Sequence, residues 1–231
     1  MNVLHAGRLV KTKEDYKVVQ LGLDYVEEVV ELQERVHKDM VHKSWFVRDS
    51  ADEIEAMLKN GGALFGVLNK NNEMIASRYI STPGDSEHNL AHDVNLPIDL
   101  DQVVVLESTV VHPDYRGNRL QGITLDVAMK HAENKGFRHL FCTVSPQNIY
   151  SLYNIMSGGL KIRSLKKKYA TTDRDGVWRF ILHKDILIQD MSWLKRLEIS
   201  FDDLDLQKIL INKGFYGDAV SRRANTIVYA R

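Results

Sequence analysis

The run Glu107-Ser108-Thr109-Val110-Val111-His112-Pro113-Asp114-Tyr115-Arg116-Gly117-Asn118-Arg119-Leu120-Gln121-Gly122 joins three kinds of local structure. An apolar strand, Gln102 to Val111, ends inside it, and a tight Pro113-Asp114-Tyr115 turn follows. A glycine-bearing segment then opens a helix from Gly117 to Lys135, with Gly136 placed as its left-handed C-terminal residue. Leu120, Ile123, Thr124, Val127 and Ala128 mark the buried face of that helix. At such a helix start the backbone N–H groups lack intrahelical partners and lie at the positive end of the dipole, which suits a phosphate or pyrophosphate. Arg116 adds a positive charge beside them. An ordinary helix start with a turn glycine has the same spacing, so spacing alone leaves both readings open.

Outward from this run, strands and helices alternate. Upstream, Val18 to Leu21 reads as a short strand, and Asp24 as the N-cap of a helix to about Met40 in which Val26, Val29, Val30, Leu32 and Val36 recur at helical spacing. Asp49-Ser50 caps a second helix, Ala51 to Lys59. Ala63 to Leu68 and Met74 to Ser81 flank Asn69-Lys70-Asn71-Asn72 as a hairpin, and the polar stretch Thr82 to Asp99 reads as a surface loop. Downstream come a strand at Arg138–Ser145, a helix at Pro146–Ser157 stopped by Gly158-Gly159, and two strands, Leu160–Tyr169 and Val177–His183, around Asp173-Arg174-Asp175-Gly176. The order predicts an α/β (α+β) layered domain over 1–183: a mixed central sheet with parallel pairing at its centre, flanked by helices. Residues 184–231 read as a C-terminal extension packed on it, with a helix from Phe201-Asp202-Asp203 to Ile211 and a strand at Thr226–Tyr229.

The 231 residues, 44% hydrophobic and 27% charged, are enough to bury a sizeable core. Lys+Arg and Asp+Glu both number 31, so no net field draws the chain to nucleic acid or an acidic membrane. Cys142, the single cysteine, can form no internal disulfide, and beside Leu140 and Val144 on its strand face it reads as a small buried hydrophobe. Met1 to Lys17 is too polar for a signal peptide, and apolar runs such as Val103–Leu106 are too short to span a bilayer. The expectation is a soluble cytoplasmic protein. His88, His92 and Asp93 lie in a solvated loop with no further well-defined ligand, so no metal is expected. The basic residues Lys161, Arg163, Lys166, Lys167 and Lys168 divide between two strand faces and do not form a nucleic-acid patch. Tyr79, Trp45 and Trp178 read as core packing before pocket lining.

Val-His-Pro-Asp-Tyr-Arg-Gly-Asn at 111–118, between a strand and an amphipathic helix, resembles the acyl-CoA-binding motif of the GNAT superfamily of N-acetyltransferases. That motif runs Arg/Gln-x-x-Gly-x-Gly/Ala and begins here at Arg116. The resemblance covers about residues 102–183, through the helix holding Asn148 and Ser151 to Gly159-Leu160, where the family has Gly-Phe. It implies a GNAT-like acyl-CoA N-acyltransferase fold, acetyl-CoA as co-substrate, and direct transfer to a primary amine, of a small molecule or of a protein. The two later motif glycines fall on Arg119 and Gln121, with Gly122 one place further on. Backbone donors survive these side chains if φ stays negative, so pyrophosphate binding fits a chain in which both residues are already helical, as the helix from Gly117 predicts.

By this resemblance the backbone at Thr109, Val110 and Val111 holds the pantetheine arm and the thioester oxygen. The amides of Arg116, Gly117, Asn118, Arg119, Leu120, Gln121 and Gly122 take the pyrophosphate, and Asn148 and Ser151 contact the CoA arm. Glu107 is the candidate general base: an ionisable side chain in an otherwise apolar strand is costly to bury without purpose. Simple alternation puts Glu107, Thr109 and Val111 on one face and Ser108 and Val110 on the other. The family's acid tyrosine, seven places after the helix asparagine, falls on Ile155, which leaves Tyr153, about 200° away on a helix, as an outside candidate. The missing tyrosine and displaced glycines also fit a different class, a catalytically idle fold that binds CoA as a sensor or interaction module. The C-terminal segment offers a dimer contact or a lid.

Overall fold

The computed structural model describes residues 2–170, 175–188 and 194–231; the expected turn residues Asp173 and Arg174 fall outside them. The chain forms two compact units, residues 1–82 with 104–136 and residues 83–103 with 137–231.

The first unit is a sheet with helices on both faces. Its elements are β1 (Asn2–Arg8), β2 (Asp15–Leu21), α1 (Val26–Asp39), α2 (Ala51–Lys59), β3 (Ala63–Asn69), β4 (Met74–Ser81), β5 (Val103–Val111) and α3 (Leu120–Asn134). The strands pair antiparallel in chain order. On one face Val19, Leu21, Leu64, Leu68, Tyr79 and Val110 pack against Val26, Val29, Leu32 and Val36 of α1 and Ile54 of α2. Each such side chain contributes about 1.5–3 kcal/mol by leaving water. On the other face, Phe65 meets His131 of α3 edge-on at 5.3 Å. Its cross-strand neighbour Arg78, 1% exposed, reaches Thr124 Oγ1 and the Gln121 carbonyl, each at 3.4 Å.

Local rules explain most boundaries. Ser50 and Glu53 form a reciprocal capping box at the start of α2, so Ser50 alone caps that helix and Asp49 does not. Asp24 is not an N-cap: it lies in a 3₁₀ turn, Leu23–Tyr25, that feeds directly into α1. β1 carries no strand signal in the sequence because its residues are exposed almost throughout and show no apolar alternation.

The second unit contains β6 (His139–Val144), α4 (Ile149–Ser157), β7 (Lys161–Lys168), β8 (Val177–Asp185), β9 (Arg196–Ser200), α5 (Leu204–Asn212), β10 (Tyr216–Ser221) and β11 (Thr226–Ala230). Antiparallel pairing gives the order β6-β8-β7-β10-β11-β9, so residues 184–231 continue the sheet. The joint is tight: a Cβ on Gly217 would lie 2.7 Å from Ile162 Cδ1. Gln207, fully buried on α5, donates to the carbonyls of Ser200 (2.8 Å) and Phe201 (3.1 Å) and accepts from Tyr229 OH (3.0 Å). The basic run of β7 is distributed as its alternation requires. Lys161 pairs with Asp218, Arg163 lies over the Tyr216 ring, and Lys166 and Lys168 both hold Asp93. No helix among the described residues is long and apolar enough to cross a membrane.

Candidate active site

β5 departs from simple alternation at its polar centre. Thr109 pairs with Arg78 and Leu106 with Ile80, so Glu107 and Ser108 together oppose the single residue Tyr79. This is a β-bulge, and it turns both side chains to the face of Tyr79 and Ser81. The expected grouping of Glu107 with Thr109 and Val111 is therefore corrected. Glu107, Ser108 and Val110 face α1 and α2, whereas Thr109 shares the α3 face with Arg78. Three consecutive polar residues in an apolar strand were the available signal, since strict alternation cannot satisfy all three.

The bulge gathers a polar network that linear spacing does not reveal. Ser81 Oγ donates to Glu107 Oε1 at 2.5 Å. Ser108 Oγ donates to Asp49 Oδ2 at 2.7 Å, and Tyr79 OH donates to the same oxygen. The Asp49 amide donates to Gln33 Oε1 of α1 at 3.3 Å. Burial pushes the Glu107 carboxyl up to about 7; the Ser81 hydrogen bond opposes this and the Asp49 charge adds to it. Asp49 is itself raised by burial, against the hydrogen bonds from Tyr79 and Ser108. Tyr79, 1% exposed, belongs to the core as expected, but its hydroxyl belongs to this network and is held well above its usual range, chiefly by burial. A carboxyl titrating near neutrality can exchange a proton with an amine in either direction.

Beyond Glu107 the strand presents backbone. The His112 amide donates to the Ile75 carbonyl, which makes Val111–Ala76 a non-hydrogen-bonded pair. The amides of Val111 and, two residues earlier, Thr109 are consequently directed to the edge of β5 away from β4. Val110 is buried, and the Thr109 hydroxyl is buried without a hydrogen-bond partner.

A 3₁₀ turn, Pro113–Tyr115, then leads to α3. Its closing bond consumes the Arg116 amide, which donates to the Pro113 carbonyl at 3.2 Å, so Arg116 leaves the set of expected backbone donors. Its guanidinium pairs with Asp39 of α1 at 2.5 Å. Asn118, 2% exposed, is structural: it accepts from the Lys11 amide at 2.8 Å and donates to the Tyr115 carbonyl at 2.9 Å. Gly117 has φ +82°, and a Cβ there would lie 2.7 Å from Lys11 Cε. Arg119, expected to be helical, instead has φ +62° as the N-cap of α3. The chain needs one left-handed residue to enter the helix, and arginine occupies the place where the motif has glycine. Leu120, Gln121 and Gly122 are in α3, and the first bond from within the helix is Ile123 N–H to the Arg119 carbonyl, so the first-turn amides have no helical carbonyl to meet.

On the second unit, Asn148 N-caps α4 and accepts from the Ser151 amide at 3.1 Å, a role the sequence alone did not assign. Ile155 is buried. Tyr153 is 39% exposed and, with Tyr150, lies under Arg222 at 5.2 and 5.0 Å. A cavity of about 520 Å³ there is lined by Tyr153, Ser221, Arg222 and Arg223. Cys142 is buried.

Known folds match this arrangement. A phosphinothricin acetyltransferase from Sinorhizobium meliloti, solved with acetyl-CoA, superposes with a TM-score of 0.55 at 14% identity, covering 74% of this chain and 88% of that one. The ribosomal-protein-S18-alanine N-acetyltransferase from Escherichia coli gives 0.56 at 16% identity, with coverage of 78% and 99%. A putative acetyltransferase from Salmonella typhimurium, solved with its cofactor acetyl-CoA, gives 0.56 at 13% identity, with coverage of 78% and 99%. A search of curated proteins found no match. The sequence pattern of the acetyltransferase (GNAT) family matches residues 26–153, more than half of the protein and the whole of the bulged strand, the turn and α3. The chain belongs to the acetyltransferase (GNAT) family of acyl-CoA-dependent enzymes.

Proposed function

We propose that the protein transfers the acetyl group of acetyl-CoA to a primary amine, with Glu107 as general base. The observation that carries this reading is the bulge at Glu107–Ser108. It puts a carboxyl pushed up to about 7 two and four residues before Thr109 and Val111, whose amides are directed away from β4. Family membership supports the co-substrate, and acetyl-CoA supplies an activated thioester whose thiolate departs readily.

The chain's own groups have three tasks. The amides at Val111 and in the first turn of α3, together with those of Gly117 and Asn118, are the donors for the pantetheine arm and the diphosphate, and the lone Thr109 hydroxyl is one more polar group on the same strand; Arg119, with its positive φ, leaves that set. The Glu107 carboxylate, ionised above about pH 7, takes the proton that the incoming ammonium must lose before its nitrogen can attack. Asn148 and Ser151, which the family resemblance assigns to the CoA arm, belong to the second unit, where the Asn148 side chain accepts from the Ser151 amide. Tyr153 has no part in this reading, because thiols are acidic enough to leave without a phenol. A protein N-terminus or lysine is the second acceptor class, and the buried single cysteine fits a reducing compartment such as the cytoplasm.

The test is calorimetric titration with acetyl-CoA followed by turnover on a panel of small amines and peptide N-termini. Binding with transfer to at least one amine is expected. Binding with no transfer to any amine supports the idle-sensor alternative, and no binding at millimolar coenzyme A removes the reading.

A further inference from the structure

We propose that Asp49 is a positioning residue for the acyl transfer: its carboxylate holds the Tyr79 and Ser108 hydroxyls on one oxygen, keeps the β5 bulge formed, and sets a second carboxyl group on the face where Glu107 stands. The inference rests on the reading of Glu107 as base. Its foundation is geometric. A bulge leaves an extra residue outside the ladder, and something else must fix the direction of its side chains. Here the residue opposite the bulge, Tyr79, and the second bulge residue, Ser108, both donate to Asp49 Oδ2. One oxygen thereby ties both strands to the loop before α2.

Asp49 is well fixed for that task. Its amide is held by Gln33 of α1, and the next residue, Ser50, is locked as the cap of α2. The two helices therefore determine where the carboxylate lies, and the carboxylate determines how the bulge sits. No ion pair among the described residues includes Asp49 or Glu107. The groups facing Glu107 are the Ser81 and Tyr79 hydroxyls from β4, the Ser108 hydroxyl from β5 and the Asp49 carboxylate, with Glu53 of α2 acting on Asp49 in turn. With no cation among these groups, a negative Asp49 makes Glu107 hold its proton more tightly and act as a stronger base.

The test is a carboxyl-carbon NMR titration of glutamate-labelled protein, with Glu107→Gln to assign the resonance. Asp49→Asn keeps an oxygen that can accept both hydroxyls, removes the charge and turns the other oxygen into an NH2 donor, and its thermal melt checks that the variant folds. The Glu107 midpoint is expected to fall by about one pH unit in that variant, the scale on which a nearby charge acts. Asp49→Glu is expected to restore most of it. The acid limb of kcat, measured with the amine found by the panel, should move by the same amount while KM for acetyl-CoA stays put. An unmoved midpoint in Asp49→Asn overturns the proposal, and this arm needs no acceptor. A rise only in the acceptor's KM, with midpoint and rate profile unchanged, overturns it too by making Asp49 a substrate contact. If the midpoint moves and the rate profile does not follow, the base assignment of Glu107 fails, and the catalytic meaning of Asp49 fails with it.

Discussion

At the scale of single residues, two positions carry the chemistry and its strain. Glu107→Gln removes the proton acceptor while keeping the bond from Ser81, so kcat is expected to fall about 10²–10⁴-fold with acetyl-CoA affinity nearly unchanged. Steady-state rates across pH 5.5–9 check this, since the variant should also lose the limb near pH 7 that the Glu107 carboxyl imposes. An unaltered profile would remove Glu107 from the mechanism. Arg119 stands in the left-handed region, which costs a residue with a Cβ about 1–2 kcal/mol. Arg119→Gly is therefore expected to raise stability in a denaturant melt by somewhat less than that, the flexibility of glycine in the unfolded chain offsetting part of the gain. Arg119→Ala loses the same guanidinium but keeps the strain, so it should show no such rise. If the alanine variant gains equally, the side chain and not the backbone is the source.

At the scale of elements, the bulge, the helix entry and the caps explain what the sequence could and could not disclose. Ser50→Ala should cost about 1 kcal/mol in chemical denaturation, because Ser50 and Glu53 satisfy each other's backbone donors at the start of α2. An effect near zero would mean that packing of Ile54 alone holds that helix. This cap was legible, as were α2, the β3–β4 hairpin and the strand-turn-helix at 103–134, since apolar periodicity, glycine and capping residues act within a few positions. The candidate site was legible only where it is local. Glu107 stands out as a charge in an apolar run, whereas its network does not. Asp49 and Ser108 are far apart in the chain and meet because α1, α2 and the sheet pack together, a tertiary fact with no spacing signature. In the sequence Asp49 and Ser50 compete for the cap of α2, and the capping box settles the competition for Ser50. β1 and β9 carry no strand signal because edge strands lack the buried face that makes alternation visible; β10 is interior, but its buried residues Tyr216, Gly217 and Asp218 include a glycine and an aspartate and so show no apolar alternation.

At the scale of the whole molecule, equal numbers of acidic and basic residues leave no net field, so the pH dependence of stability is governed by a few buried groups. His183, 4% exposed, shares a 3.1 Å contact with His139 and stacks on Phe141; burial, with the Arg163 and His139 charges, pushes it down to about 3. Its unfolded form takes up a proton near 6.5, so between those values the unfolded chain binds more protons and stability is lost as pH falls. Glu107 acts in the opposite sense: raised from 4.5 to about 7, it binds more protons when folded, and stability is lost as pH rises through that window. The two oppose each other between about 4.5 and 6.5, with His139 and His131, also lowered by burial, acting as His183 does and Asp49, raised by burial, acting as Glu107 does; below 4.5 the histidines are joined by Asp93 and Asp185, whose carboxyls their lysine and arginine partners hold low. Calorimetric Tm is thus expected to be nearly flat from pH 5 to 7 and to fall steeply below 4.5. Glu107→Gln should abolish the opposing contribution, giving a Tm that climbs from pH 5 to 7 and exceeds wild type at pH 8, where the unsubstituted protein must keep a half-buried carboxylate ionised. His183→Gln should flatten the acid limb. A Glu107→Gln protein no more stable than wild type at pH 8 would mean that water reaches the Glu107 carboxylate freely, and a base of ordinary acidity would then have to serve the reaction.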